Sequence, residues 1–135
     1  MTRKNKVLAL IPARSGSKGL KNKNILKLKD IPLIVWTIKS ALKSKKIDKI
    51  IVDSDSKKIL NISKKFNVNN FIYRPKKLAL DKTPISDVII NALLEYKEEY
   101  DNFLLLQPTS PFRSSNHIDK FTNYFIKSKS KFLVS

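Results

Sequence analysis

Short apolar runs alternate with segments of helical period along the chain, and this alternation constrains the fold more than any other feature. Strands are predicted over residues 7–11, 49–52, 70–73 and 103–106, and a further strand begins at residue 131. The run at 103–106 is apolar without interruption, which is typical of a strand buried on both faces of a parallel sheet. The alternation therefore predicts an α/β fold of three layers, with a mainly parallel sheet and helices on both faces. In such sheets, ligands bind beyond the carboxyl ends of the strands.

Four helices are predicted between and after these strands. Pro32 suits the first turn of a helix whose apolar positions are Leu33, Trp36, Ile38, Ala41 and Leu42. Either Ser54 or Asp55 is predicted to cap the second helix, and Thr83 followed by Pro84 is predicted to open the third. Ser114 and Ser115 precede the last helix.

Length and composition limit the class of protein. A chain of 135 residues with 41% hydrophobic residues and no cysteine indicates one folded domain without disulfides or thiolate metal sites. The apolar run at 7–11 is too short for a signal-peptide core or a membrane span, so we expect a cytoplasmic protein without a membrane partner.

The net charge of +17 attracts polyanions of many kinds, including triphosphates, acidic sugars and nucleic acid. Most of the excess is lysine spread over the chain, which is also typical of a solvated surface. A basic nucleic-acid-binding module stays open as an alternative. Such a module predicts exposed aromatics between the basic residues, whereas most aromatics here fall on apolar helical stripes.

Residues 12–24 form a loop directly after the first predicted strand, and it contains both glycines of the chain, Gly16 and Gly19. Glycine lets the backbone approach a ligand and present its N–H groups to an anion. Arg14, Lys18 and Lys23 add positive charge, so the loop suits a triphosphate, although its glycine spacing matches neither the Walker nor the dinucleotide pattern. A solvated connection with two turn glycines is the structural alternative.

A second polar loop, residues 107–113, follows the buried strand. Its prolines stiffen it, and Gln107, Thr109 and Ser110 offer hydrogen bonds to a base or ribose. A rigid turn whose hydroxyls cap the next helix explains the same residues equally well.

Taken together, these motifs resemble the acylneuraminate cytidylyltransferases. The shared motifs are Pro-Ala-Arg-x-Gly-Ser-Lys-Gly-Leu at 12–20, Lys-Asn at 23–24, Arg-Pro at 74–75, Leu-Ala-x-Asp at 78–81 and Leu-Gln-Pro-Thr-Ser-Pro-x-Arg at 106–113. They occur in family order, and the resemblance extends over essentially all 135 residues. It implies the nucleotide-diphospho-sugar transferase fold, with residues 1–135 as the nucleotide-binding portion of a single cytidylyltransferase domain.

The resemblance implies transfer of CMP from CTP to an acidic nine-carbon sugar of the sialic acid type, with release of pyrophosphate. This reaction would serve the biosynthesis of CMP-sugars for capsule or lipopolysaccharide. Pseudaminic, legionaminic and 3-deoxy-octulosonic acids are alternative acceptors, and the Gly-Ser-Lys-Gly sequence disfavours the last. A strand that begins at the last residues suggests truncation. An inactive fragment is therefore a further alternative, because the resemblance implies that later segments and a partner subunit complete the active site.

The matching positions imply roles for individual residues. Arg14 and Lys23 are expected to hold and stabilise the phosphates as catalytic residues, and Ser17, Lys18 and Asn24 to contact nucleotide or phosphate. The remaining expected substrate contacts, most of them at the cytidine end, are Arg74, Asp81, Ser86, Gln107, Thr109 and Ser110.

Magnesium is the implied cofactor, and a homodimer is the implied state of the full-length enzyme. The family's paired magnesium-binding aspartates lie beyond residue 135, so no metal ligand is assigned in this chain. Asp53 and Asp55 resemble a replacement site, but Asp55 stands at a helix start, where capping is its expected role.

Overall fold

The computed structural model describes residues 6–16, 22–96, 100–110 and 113–128. The strands within these ranges are β1 (Val7–Pro12), β2 (Lys27–Leu28), β3 (Ile31–Pro32), β4 (Lys49–Ser54), β5 (Asn70–Tyr73) and β6 (Asn102–Leu105). The helices are α1 (Leu33–Lys43), α2 (Lys57–Lys65), α3 (Ile85–Glu95) and α4 (Ser115–Ser128), with two short 3₁₀ helices at Lys23–Ile25 and Lys76–Leu78. The strand predicted from residue 131 lies outside the described residues.

Four strands form one parallel sheet in the order β5-β4-β1-β6. β1 is central, pairing in parallel with β4 on one side and with β6 on the other, and β5 extends the sheet beyond β4. The predicted α/β class is confirmed. Because all four strands are parallel, their carboxyl ends meet at one edge of the sheet.

The sheet is covered on both faces. Every residue of β1 is buried, and its side chains alternate between two apolar clusters. Val7, Ala9 and Ile11 pack with residues of α1, α2 and α4 on one face, whereas Leu8 and Leu10 pack with residues of α3 on the other. The continuous apolar run of β1 follows from this burial on both sides.

Sequence reasoning missed a small hairpin between the glycine-containing loop and α1. β2 and β3 pair antiparallel around the two-residue turn Lys29-Asp30, and both turn residues have positive φ, 51° and 64°. Such turns ordinarily use Asn-Gly or Asp-Gly, so Lys-Asp gave no recognisable signal. The hairpin connects the Lys23–Ile25 helix to α1 and also places Leu28 O where it accepts a hydrogen bond from Trp36 Nε1.

Two of the predicted helix caps are wrong by one or two residues. Ser56 caps α2, since its hydroxyl accepts a hydrogen bond from Ile59 N, so neither Ser54 nor Asp55 has that role. α3 starts at Ile85 after Pro84, and Thr83 Oγ1 instead donates to Lys77 O at 3.4 Å. Ser114 precedes α4 as predicted, and its hydroxyl accepts from His117 N, whereas Ser115 is the first residue of the helix and does not precede it.

Replacing Ser56 with alanine should lower the free energy of unfolding by about 1 kcal/mol, because α2 loses its side-chain cap. Thr83→Ala is the matched comparison and should change stability by less than about 0.5 kcal/mol, since its hydroxyl caps no helix. Urea denaturation of both variants measures the difference. Equal losses, or a larger loss for Thr83→Ala, would contradict this assignment of the caps.

Within the described ranges, no helix combines the length and the apolar character that a membrane span requires. His117 is exposed in the first turn of α4, and its ring stacks on Phe121 at 6.4 Å between centroids.

Candidate functional site

Polar loops follow the carboxyl ends of β1, β4, β5 and β6, and they collect most of the residues that the sequence singled out. Arg14 and Ser15 follow β1, Asp55 follows β4, Arg74 follows β5, and Gln107 follows β6. Backbone hydrogen bonds tie these strand ends together beyond the regular ladder: Ala13 N donates to Asp53 O, and Arg74 N donates to Ser54 O, both at 2.8 Å. The loops therefore begin at strand ends that these hydrogen bonds hold in fixed positions.

Arg14, Ser15, Asn22 and Asn24 form the base of the glycine-containing loop, and we call these four residues the loop base. Asn22 N donates to Ser15 O at 2.7 Å, and Asn24 Nδ2 donates to Arg14 O at 2.9 Å. Asn22 has φ 58°, a left-handed conformation that asparagine tolerates better than most residues. Asn24 is buried and holds the backbone of Arg14, a contact that sequence reasoning did not foresee.

Asp55 fixes the loop base from the neighbouring strand. Its Oδ1 accepts from Ser15 N at 2.8 Å, and its Oδ2 accepts from the Ser15 hydroxyl at 2.7 Å. The expectation that Asp55 caps a helix is therefore wrong. The spacing of Asp55 gave no sign of this contact, since only the pairing of β1 with β4 brings residues forty apart in sequence together.

The Arg14 guanidinium lies at the surface of the site. Its Nη1 donates to Asp81 Oδ1 at 2.6 Å and more weakly to Ala79 O at 3.4 Å. The Arg14 side chain is 25% exposed and that of Asp81 is 60% exposed. The pair thus directs the guanidinium while leaving it accessible to a ligand.

Lys23 begins the 3₁₀ helix next to the loop base and is partly exposed. Within the described part of the chain, its ammonium group has no hydrogen-bond or ion-pair partner. A Cβ added at Gly16 would contact nothing within 4 Å, so the space beside this glycine is open. Ser17 and Lys18, both predicted to contact the ligand, lie outside the described residues.

Arg74 and Asp53 form a buried ion pair beneath the site. Arg74 Nε donates to Asp53 Oδ1 at 2.5 Å, and the two side chains are 4% and 0% exposed. Burial raises the pKa of Asp53 above its ordinary value, although the Arg74 guanidinium acts in the opposite direction. Asp53 Oδ2 has no hydrogen-bond partner among the described residues. Arg74 thus has a structural contact, and its expected contact with cytidine stays a prediction.

The other predicted contacts are exposed. Gln107, Thr109 and Ser110 lie in the loop after β6, where Ser110 N donates to Gln107 O at 3.2 Å, and Ser86 lies in the first turn of α3. Their side chains are available to a ligand, and their roles stay predictions. Burial lowers the pKa of Arg113 at the end of the same loop.

Asp53 and Asp55 do not form a metal centre. Asp53 pairs with Arg74, and both oxygens of Asp55 accept hydrogen bonds from Ser15. Across the ranges that the structure describes, no three His, Cys, Asp or Glu side chains are grouped so that they could hold a metal ion.

The match to one protein family extends over nearly the whole chain. A family model described as cytidylyltransferase matches residues 8–135. The chain belongs to the cytidylyltransferase family. The residues that form the loop base and the loop after β6 all lie within this match.

Curated cytidylyltransferases with different acceptors are similar to this chain. It is 49% identical over 115 residues to the N-acylneuraminate cytidylyltransferase of Escherichia coli O18:K1:H7, covering 85% of this chain and 27% of that protein. It is 39% identical to the CMP-N,N'-diacetyllegionaminic acid synthase of Legionella pneumophila, covering 84% and 50%. It is 34% identical to the pseudaminic acid cytidylyltransferase of Campylobacter jejuni, covering 96% and 57%. The chain thus spans between about a quarter and a little over half of these relatives.

Solved structures support the cytidylyltransferase fold. A CMP:2-keto-3-deoxy-manno-octonic acid synthetase complexed with CTP superposes with a TM-score of 0.78 at 21% identity, covering 93% of this chain and 49% of that one. A cytidylyltransferase from Leptospira borgpetersenii gives a TM-score of 0.73 at 22% identity, covering 93% and 50%. At such identities the likeness establishes the fold.

Proposed function

We propose that this chain is the CTP-binding portion of an enzyme that transfers CMP from CTP to an acidic nine-carbon sugar of the sialic acid type. One observation carries the proposal: at the carboxyl edge of a parallel sheet, hydrogen bonds fix a loop base that contains Arg14 and adjoins the short helix beginning at Lys23. Cations held at this edge suit an anionic nucleotide. Membership of the cytidylyltransferase family supports cytidine as its base.

The proposed chemistry is a displacement at the α-phosphorus of CTP. The anomeric oxygen of the sugar forms a bond to that phosphorus and loses its proton, while the bond to the β-phosphate oxygen breaks and pyrophosphate leaves. Negative charge grows on the separating phosphates. Arg14 and Lys23 would stabilise this charge, because both are partly exposed and lie beside the same loop.

The expected contacts divide between the two ends of the nucleotide. Asn24 would act on the phosphate side by holding the carbonyl of Arg14. Ser17 and Lys18 are also proposed on the phosphate side. The proposed contacts of cytidine are Ser86, Gln107, Thr109 and Ser110. Arg74 would stabilise the cytidine end of the site through its buried ion pair with Asp53.

Magnesium is part of the proposal only through the family resemblance. The described residues do not fit a magnesium site, because the neighbouring carboxylates Asp53, Asp55 and Asp81 already pair with Arg74, Ser15 and Arg14 respectively. No step of the proposed chemistry therefore depends on a metal held by these residues.

The sialic acid type is the proposed acceptor because the 49% identical relative is named for N-acylneuraminate. Legionaminic and pseudaminic acids are alternatives supported by relatives at 39% and 34% identity. A cytoplasmic location and a homodimeric full-length enzyme complete the proposal, with neither a membrane nor a specific nucleic acid as partner.

A thermal melt with different ligands tests the proposal. CTP at a hundredfold excess over its dissociation constant should stabilise the folded chain by about 2.7 kcal/mol, and UTP, ATP or single-stranded DNA should stabilise it less. Equal stabilisation by every polyanion would favour the charge-driven alternative and contradict the proposal.

A further inference from the structure

Asp55 makes two hydrogen bonds to the loop base, whereas the sequence suggested for it only a metal site or a helix cap. Its carboxylate accepts from both the backbone N–H and the hydroxyl of Ser15, at 2.8 and 2.7 Å. The other roles that its position suggests are already excluded. Ser56 caps α2, and a carboxylate with both oxygens occupied is a poor metal ligand.

Ser15 directly follows Arg14, so contacts that fix the backbone of Ser15 also constrain the backbone of Arg14. Three independent contacts converge on this dipeptide: Asp55 holds Ser15 N, Asn22 N holds Ser15 O, and Asn24 Nδ2 holds Arg14 O. The Arg14 guanidinium is held separately by Asp81. Among the described contacts to the backbone of this dipeptide, Asp55 supplies the one charged partner, and hydrogen bonds to a charged group are the stronger kind.

The charge of Asp55 opposes the binding of an anion, so its value to the site must come from geometry. A carboxylate in the neighbourhood of phosphates weakens their binding by repulsion. Here both carboxylate oxygens of Asp55 accept hydrogen bonds from Ser15, which weakens the repulsion between the carboxylate and a bound phosphate. Holding a binding group rigidly in its productive orientation improves binding and turnover.

We propose that Asp55 is a positioning residue that sets the affinity for the triphosphate of CTP by fixing Ser15 and, through it, Arg14. This inference rests on the proposed function, since it assigns phosphate binding to the same loop base. The inference predicts that loss of Asp55 weakens binding of the triphosphate more than binding of the monophosphate. A residue that acted only on folding would affect the triphosphate and the monophosphate equally.

Asp119 provides a matched control. It accepts a hydrogen bond from the Ser44 hydroxyl, and Lys45 N donates to its Oδ1 and Oδ2 at 3.2 and 3.1 Å. Like Asp55, it therefore binds both a serine hydroxyl and a backbone amide that are distant in sequence. Ser44 and Lys45 follow α1, in the connection that enters β4 at its amino end. Asp119→Ala therefore removes a similar clamp from another part of the fold.

The experiment compares Asp55→Ala and Asp119→Ala by calorimetric titration with CTP and with CMP. We expect Asp55→Ala to weaken CTP binding about 10- to 100-fold, the range for losing hydrogen bonds to a charged group, and to weaken CMP binding much less. Asp55→Asn keeps one acceptor oxygen and should fall between Asp55→Ala and the unaltered chain. Asp119→Ala should bind CTP within about twofold of the unaltered chain.

A normal CTP affinity for Asp55→Ala would overturn this inference alone. Equal losses for CTP and CMP would also overturn it, because they would indicate a purely structural role. Failure of the unaltered chain to prefer CTP over UTP and ATP would overturn the proposed function together with this inference.

Discussion

Alanine at Lys23 should reduce the release of pyrophosphate from CTP by the intact enzyme by about 100- to 1,000-fold, the usual cost of removing one preorganised charge stabiliser. Lys23 lies beside the loop base, is partly exposed and has no partner among the described residues. Its charge is therefore available to the phosphates, and its removal breaks no hydrogen bond or ion pair to the described residues. The free energy of unfolding should stay within about 0.5 kcal/mol of the unaltered protein.

Arg14→Ala should reduce turnover by a similar factor. It also removes the ion pair with Asp81, but a pair this exposed contributes only about 0.2–1 kcal/mol to stability. A coupled assay for pyrophosphate measures both variants. Lys43→Ala is the charge-matched control, because this exposed lysine ends α1 away from the site. Near-normal turnover of either site variant, or an equal loss in Lys43→Ala, would contradict the assigned roles.

Arg74→Met should lower the free energy of unfolding by about 3–5 kcal/mol, because it leaves the fully buried Asp53 carboxylate without its partner. Urea denaturation measures the loss. The double variant Arg74→Met/Asp53→Asn removes the charge as well and should recover part of the stability. This second variant keeps the test decisive even where the single variant unfolds.

The loss in Arg74→Met should also depend on pH. Burial already raises the pKa of Asp53, and removing the guanidinium raises it further above the unfolded value of about 3.9. A carboxyl with a raised folded pKa stabilises the fold below the unfolded pKa, and that contribution disappears as the pH rises through the folded pKa. The defect should therefore be larger at pH 7 than at pH 4, and the double variant should lose this difference. A defect of the same size at both pH values would contradict the account of the buried pair.

The arrangement of the sheet could be predicted from the sequence because hydrophobic periodicity reports burial directly. The prediction for β5 matched its bounds, and those for β1, β4 and β6 were one or two residues from theirs. The β2–β3 hairpin was missed because its Lys-Asp turn lacks the usual residues. The cap of α2 was misplaced because Ser54, Asp55 and Ser56 are all good capping residues, and only the backbone geometry selects Ser56.

The sequence predicted which two loops form the site, but not the contacts that hold them in place. Cations beside glycines suggested a phosphate loop, and the resemblance to the family singled out Arg14 and Lys23 within it. The sequence could not indicate that Asp55 holds Ser15 or that Asn24 holds Arg14 O, because tertiary structure brings these groups together. Arg74 was expected at the ligand, whereas its burial against Asp53 depends on the pairing of β4 with β5.

The central claim is that the carboxyl edge of this sheet binds the phosphates of CTP, and amide chemical shifts of the isotope-labelled chain during a CTP titration test it most directly. We predict that the largest shifts fall at Ala13–Gly16, Asn22–Asn24 and Gln107–Ser110, and that CTP causes larger shifts there than UTP or ATP at equal concentration. Shifts spread over the exposed lysines of α2, or equal shifts for all three nucleotides, would contradict the claim and leave only nonspecific attraction to a basic surface.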